Sequence, residues 1–164
     1  MKIEVVGSIL GQTGYDSHTR QLCNALYNEG IDIALTTNLP ADWVRHVNDN
    51  ELKMITNSKD KLDYRMLITL PSIAPLYWND GVPIIQYVVW EGDRIPKSWI
   101  NILSDKRIKY IIVPSNHTRS AILETIDMNQ ELYHIDINDK IKIIPHGVNI
   151  DIFKPDKERI LYEK

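Results

Sequence analysis

Six short apolar runs, each followed by a turn and then a helical stretch, constrain this chain more than any other feature. They are Ile3–Val6, Ile31–Leu35, Arg65–Leu70, Pro83–Val89, Ile108–Val113 and Ile141–Ile144. Each is mostly apolar, with at most two polar residues, instead of alternating strictly with polar ones. Strands read that way when both faces of a sheet are covered, as in a parallel sheet between helix layers. Twenty-five isoleucines against seven glycines weight the apolar content toward β-branched side chains, which favour strands. A seventh and weaker run, Leu52–Thr56, reads as an extra or edge strand.

Between the first two runs lies the clearest helix. Asp16 or Ser17 is the expected cap, Leu22, Ala25 and Leu26 the expected buried stripe, and Gly30 the expected left-handed stop. A second helix is expected from Ser115, turning Ala121, Ile122 and Ile126 inward. Shorter ones fit Ala41–Val47, Ser72–Trp78 and Lys97–Ser104. Strands and helices that alternate across short loops predict an α/β fold, a doubly wound and mainly parallel sheet. The polar Asp127–Asp139 stretch, with Tyr133 and His134, reads as a surface insertion.

A chain of 164 residues suits one domain. The formal net charge of −3 lacks the basic excess of a dedicated nucleic-acid binder. The single cysteine, Cys23, cannot pair internally, which fits a reducing compartment. No apolar run is long enough to span a bilayer, and the N-terminus lacks signal-peptide features. The expectation is a cytoplasmic protein, free or peripheral to a membrane.

Ligands of open parallel sheets bind beyond the carboxyl ends of the strands, so the segments after the runs are the places to search. The first, Gly7-Ser8-Ile9-Leu10-Gly11-Gln12-Thr13-Gly14-Tyr15-Asp16-Ser17-His18, puts three glycines before a helix N-terminus. Backbone amides there can approach a phosphate, diphosphate or sugar; equally, the glycines can serve tight turns alone. Ile9 breaks the dinucleotide fingerprint and no acid follows the second run, which disfavours a nucleotide-dependent oxidoreductase.

The second segment, Trp90 to Trp99, carries Glu91, Asp93 and Arg94 between two tryptophans. Carboxylates bind sugar hydroxyls and an indole covers an apolar sugar face; the plainer alternative is an Asp93–Arg94 surface pair beside packed tryptophans. The third, Pro114 to Arg119, offers Ser115 as a cap with Asn116 and Arg119 on the first exposed turn. The fourth, Ile144 to Pro155, makes a glycine turn at His146-Gly147, for which a structural role is the stronger expectation. The scattered histidines and the absence of a G-x-S-x-G elbow offer neither a zinc site nor a serine nucleophile.

Taken in order, these segments resemble the family 4 glycosyltransferases, retaining nucleotide-sugar enzymes of the GT-B fold. The resemblance rests on Gly11-x-x-Gly14-Tyr15-x-x-His18-x-Arg20, Trp90-Glu91-x-Asp93-Arg94-Ile95-Pro96-x-Ser98-Trp99, Val113-Pro114-Ser115-Asn116-x-Thr118-Arg119, and Ile143-Ile144-Pro145-His146-Gly147-Val148-Asn149 with Phe153-Lys154-Pro155. It implies that residues 1–150 form a Rossmann-like acceptor-side domain. Residues 151–164 would begin an interdomain linker or C-terminal tail, and the donor-binding domain is absent from this sequence.

By the same resemblance, Gly11, Gly14, Tyr15, His18, Glu91, Asp93, Arg94, Ser115, Asn116 and Arg119 bind substrate. His146 and Gly147 form the turn before the interdomain crossing. No catalytic residue, metal or cofactor is implied. The co-substrate would be a nucleoside-diphosphate sugar and the partner an acceptor glycan or other hydroxyl compound. The donor-binding half would come from a separate domain or polypeptide. The competing expectation is a non-catalytic α/β domain that binds a glycan, a nucleotide or a partner protein.

Overall fold

The computed structural model describes residues 1–37, 47–131 and 135–147. Six strands form one sheet: β1 (Lys2–Gly7), β2 (Asp32–Thr36), β3 (Tyr64–Ile68), β4 (Ile84–Tyr87), β5 (Ile108–Val113) and β6 (Ile141–Ile143). Their spatial order is β2-β1-β3-β4-β5-β6 and every pairing is parallel. The six apolar-rich runs thus become six strands, in a Rossmann-like doubly wound arrangement. From β1 the chain moves outward to β2, then returns past β1 to β3. The order reverses between β1 and β3, which makes their carboxyl ends the expected ligand position in an open α/β sheet.

Alternate strand residues feed two separate cores. Ile3 and Val5 of β1, Ile33 and Leu35 of β2, and Met66 and Ile68 of β3 share one core. Onto it pack α1 (Gly14–Asn28) and α2 (Asp49–Thr56), through Cys23 and Met54. Val6, Leu67, Ile84, Val88 and Ile111 face the other side. That core is completed by Trp99, Ile100 and Leu103 of α3 (Lys97–Ser104) and Ile122 and Ile126 of α4 (Asn116–Asp127). A 3₁₀ helix, Pro71–Tyr77, contributes Ala74.

Several expectations need correction. The Leu52–Thr56 run is helical, because Asn48 and Glu51 cap each other's backbone amides at 2.8 and 3.0 Å and start α2 there. Leu52 consequently points outward and Met54 inward. In α1 the cap is Thr13, not Asp16 or Ser17; Asp16 is its third helical residue and the other half of the capping box. The buried line of α1 is Asp16, Thr19 and Cys23, while Leu22 and Leu26 are half-buried and Ala25 is exposed. Gly30 does take the left-handed conformation, at φ +79°.

The Asp127–Asp139 stretch is also anchored. Ile137 is buried in the core and Asn129 donates to the Thr125 carbonyl at 2.6 Å. The expected Ala41–Val47 helix lies, at 41–46, outside the described residues, as do Tyr133, His134 and the 148–164 stretch.

Two buried charges interrupt the apolar runs; the others within them, Asp32, Lys109 and Lys142, are exposed. Glu4 and Arg65 are register partners on β1 and β3, and both are buried. Arg65 Nε donates to Glu4 at 2.6 Å, and its two terminal nitrogens donate to the carboxylate of Asp80 at 3.1 and 2.7 Å. Thr36 donates to the other oxygen of Glu4. A buried charge is tolerable when it is paired and its remaining polar atoms are satisfied, as here.

Candidate functional site

The loop after β1 folds around one side chain of its own helix. The Asp16 carboxylate accepts from the Ser8 and Thr13 hydroxyls, from the Gly11 amide at 2.9 Å and from the Thr13 amide at 3.1 Å. Burial pushes this carboxyl up, but those bonds outweigh it and hold it down at about 2. Arg20 closes the loop from the other side, donating to the carbonyls of Ile9 and Gly11 at 2.7 and 2.8 Å. A Cβ on Gly11 would lie 2.6 Å from an Asp16 oxygen. The glycine therefore makes room for an internal carboxylate, and the Gly11 amide is spent on it. At Gly14 a Cβ would meet nothing, so that glycine opens the first turn of α1 without being required by contact.

Beside this loop lies a pocket of about 300 Å³, bounded by Ser8 and Tyr15, by Ile68 to Pro71 after β3, and by Tyr87 to Val89 at the end of β4. It occupies the carboxyl edge at the point where strand order reverses. Its back wall is braced by Gln86, which is fully buried and donates to the Thr69 carbonyl at 2.8 Å and to those of Leu67 and Tyr87 at 3.3 and 3.1 Å. Tyr87 is nearly buried, and burial pushes its phenol up to about 12, so it stays neutral.

Tyr87 also joins a second, more open groove of about 520 Å³ along α1, bordered by His18, Leu22, Ile144, Pro145 and Gly147. Here the turn after β6 meets α1. The His18 and His146 rings lie 4.2 Å apart between centroids, and the Tyr87 ring is 4.9 Å from His18 and 5.8 Å from His146. Burial, then the neighbouring His146, pushes His18 down, so it is the neutral imidazole that packs.

The loop after β4 is organised around an indole. Trp90 Nε1 donates to the Arg94 carbonyl at 2.8 Å, and the ring meets Trp99 edge-on at 5.0 Å. A Cβ on Gly92 would lie 2.9 Å from that Nε1. The loop is fastened to one face of α4 at two points about two turns apart. The Thr118 hydroxyl donates to the Trp90 carbonyl at 3.3 Å, and the Ile95 amide donates to the Thr125 hydroxyl at 3.0 Å. Glu91, Asp93 and Arg94 project from this fastened loop as exposed side chains. No ion pair joins Asp93 and Arg94 among the described residues.

At the start of α4, Ser115 accepts from the Thr118 amide at 3.2 Å and caps the helix as expected. Asn116 is exposed. Arg119 is turned away toward the following segment, donating to Asn138 at 2.6 Å.

The residues singled out in the sequence therefore fall into two groups. Tyr15, His18, His146 and Gly147 stand around Tyr87, while Gly11 and Gly14 belong to the adjoining loop and helix start and line neither cleft. Glu91, Asp93 and Arg94 stand on the Trp90 loop beside Ser115 and Asn116 at the start of α4, outside the 300 Å³ pocket, while Arg119 is drawn off to Asn138. Sequence reasoning missed Tyr87, Thr69, Leu70, Pro71 and Gln86. Tyr87 and Gln86 sit inside an apolar run and read as core. The Thr69–Pro71 turn gains its place only from the β1/β3 adjacency, which no local pattern announces.

Among the described residues, no group of three or more histidines, cysteines, aspartates or glutamates gathers to hold a metal ion. No helix among them is long and apolar enough to cross a membrane. No protein-family model matches the chain, and no curated protein sequence matches it.

Proposed function

We propose that this chain is the acceptor-side domain of a retaining, nucleotide-sugar-dependent glycosyltransferase, completed by a donor-binding domain. The reading is supported above all by the convergence of the β1 loop, the Tyr87–Val89 strand end and the Ile144–Gly147 turn on neighbouring clefts at the carboxyl edge. Two of the three, the β1 loop and the Ile144–Gly147 turn, belong to the four segments that carry the family resemblance, and the third, the Tyr87–Val89 strand end, leads directly into another, Trp90 to Trp99. In this reading the acceptor occupies the pocket, with its hydroxyl presented outward. Transfer breaks the bond between the sugar and the nucleoside diphosphate and forms one from the acceptor oxygen on the same face. Stabilising the departing diphosphate needs cationic or amide donors. The described lining of the pocket contains no lysine or arginine, and the Gly11 amide is engaged by Asp16. The donor's charge is therefore assigned to the other domain, with Arg94, exposed on the Trp90 loop, as a cation this domain can add.

A non-catalytic binding domain is the second reading. It is favoured by the same lining, which holds no carboxylate, histidine or cation among the described residues. Thermal-shift titrations against UDP-, GDP- and ADP-sugars and a set of hydroxyl acceptors, followed by assays for nucleoside diphosphate release, separate the two. Saturable stabilisation by an acceptor, with release appearing once a donor-binding domain is supplied, is the expected result. A cooperative melt that responds to no compound would overturn the transferase reading.

A further inference from the structure

The lining of the β1/β3/β4 pocket narrows what it can hold, on the premise that it is the acceptor site. Around it stand Ile68, Leu70, Pro71, Val88 and Val89, with two tyrosine rings and two aliphatic hydroxyls. A monosaccharide carries a hydroxyl on nearly every carbon, and each needs a partner once taken out of water. This pocket is short of partners. The Ser8 hydroxyl is donated to Asp16, the Thr69 carbonyl is taken by Gln86 at 2.8 Å, and the Val88 amide is taken by the Ile112 carbonyl at 2.8 Å. Of the other lining hydroxyls, Thr69 donates to the Leu70 carbonyl and Tyr87 to the Ile144 carbonyl through long bonds of 3.4 and 3.5 Å, and the Tyr15 phenol makes no hydrogen bond among the described residues. A charged group would have no counter-ion among the described lining residues, and burying an unpaired charge is costly.

We infer that the pocket accepts an uncharged, predominantly apolar alcohol instead of a free sugar. Its volume of about 300 Å³ suits a body on the order of ten non-hydrogen atoms, at roughly 30 Å³ each. An aromatic ring system and a short alkyl chain share this chemistry. The exposed Tyr15 and Leu70 at the mouth extend the apolar surface outward.

Calorimetric titration of the whole chain with 2-naphthol, 1-octanol, glucose and 2-naphthyl phosphate tests this. Either alcohol should saturate a single site, and the tighter of the two identifies a ring or a chain as the natural body. Glucose at a hundredfold higher concentration should fail to displace it, and the phosphate ester should bind at least tenfold more weakly. Leu70→Glu should weaken the alcohol at least tenfold with an unchanged melting temperature, because Leu70 is 57% exposed. Thr69→Val should weaken it a few-fold.

Displacement by glucose at comparable concentration, an unchanged affinity in Leu70→Glu, or tighter binding of the phosphate ester would each overturn the inference. Glucose binding without alcohol binding sinks it and leaves the transferase reading standing. Alcohol binding with rejection of 2-naphthyl α-glucoside keeps it and sinks the transferase reading, since an acceptor site must also admit its product.

Discussion

Two loops at the carboxyl edge of the same sheet solve one problem with opposite chemistry. The β1 loop wraps a carboxylate, Asp16, and the β4 loop wraps an indole, Trp90. Each has a glycine where a Cβ would collide with that internal side chain, at 2.6 Å for Gly11 and 2.9 Å for Gly92. In both cases the glycine pattern reports a self-contained turn, without any ligand needed to explain it. The difference lies in what is left over. Asp16 consumes the donors of its loop, two amides and two hydroxyls. Trp90 consumes only a carbonyl, and leaves Glu91, Asp93 and Arg94 exposed on a fastened backbone. The first loop is scaffold; the second is a platform with spare charge.

The largest expected effect comes from breaking the hub of the first loop. Asp16→Ala strands four donors and removes half of a capping box, and should cost about 3 kcal/mol, or roughly 10 °C in Tm. Its pH dependence carries a definite sign. Asp16 is held at about 2 in the folded chain, below the ordinary carboxylate value near 4. A depressed folded value means the stabilisation is complete above about pH 4 and is lost as pH falls toward 2. Denaturant melts should show a flatter acid limb between those limits in Asp16→Asn than in the wild type. Identical acid limbs would remove Asp16 from its place as hub.

Next in size, Gly11→Ala should cost about 2 kcal/mol, since the added methyl meets a carboxylate fixed by four bonds. Gly92→Ala should cost about 1 kcal/mol, because the indole can tilt at the expense of one hydrogen bond to a carbonyl. Chemical denaturation of the two variants side by side checks the order. A costlier Gly92→Ala would mean that Trp90 is held more rigidly than its single polar bond requires.

Much of this architecture was legible in the chain, for a physical reason. A strand covered on both faces must be apolar along most of its length, so Ile3–Val6, broken only by Glu4, admits few other readings. The run at Leu52–Thr56 failed because five residues do not separate period 2 from period 3.6. The cap that decides it, Asn48 with Glu51, lies upstream of the run. At α1 the same signal stands as Thr13 and Asp16, but by sequence alone Asp16 reads as the cap itself instead of the third helical residue. The sequence placed glycines before a helix and suggested an anion there. It did not say that the anion was the chain's own. Tyr87 was illegible for a different reason: its role comes from lying beside His18 and His146, residues some seventy positions before it and sixty after it in the chain.

The smallest expected effect on stability is also the sharpest test of the platform. Glu91, Asp93 and Arg94 are exposed, and none donates or accepts through its side chain among the described bonds, so truncating them removes no packing. Glu91→Ala and Arg94→Ala should each shift stability by less than about 0.5 kcal/mol. The Arg94 carbonyl still receives Trp90, and the Glu91 carbonyl still lies 3.3 Å from His117, because both contacts use the backbone. If these charges hold a ligand, calorimetry should show several-fold weaker binding at an unchanged Tm. A fall in Tm of several degrees would assign them to the fold. An unchanged affinity would leave Trp90 and its fastening to Thr118 and Thr125 as the reason the segment has its form.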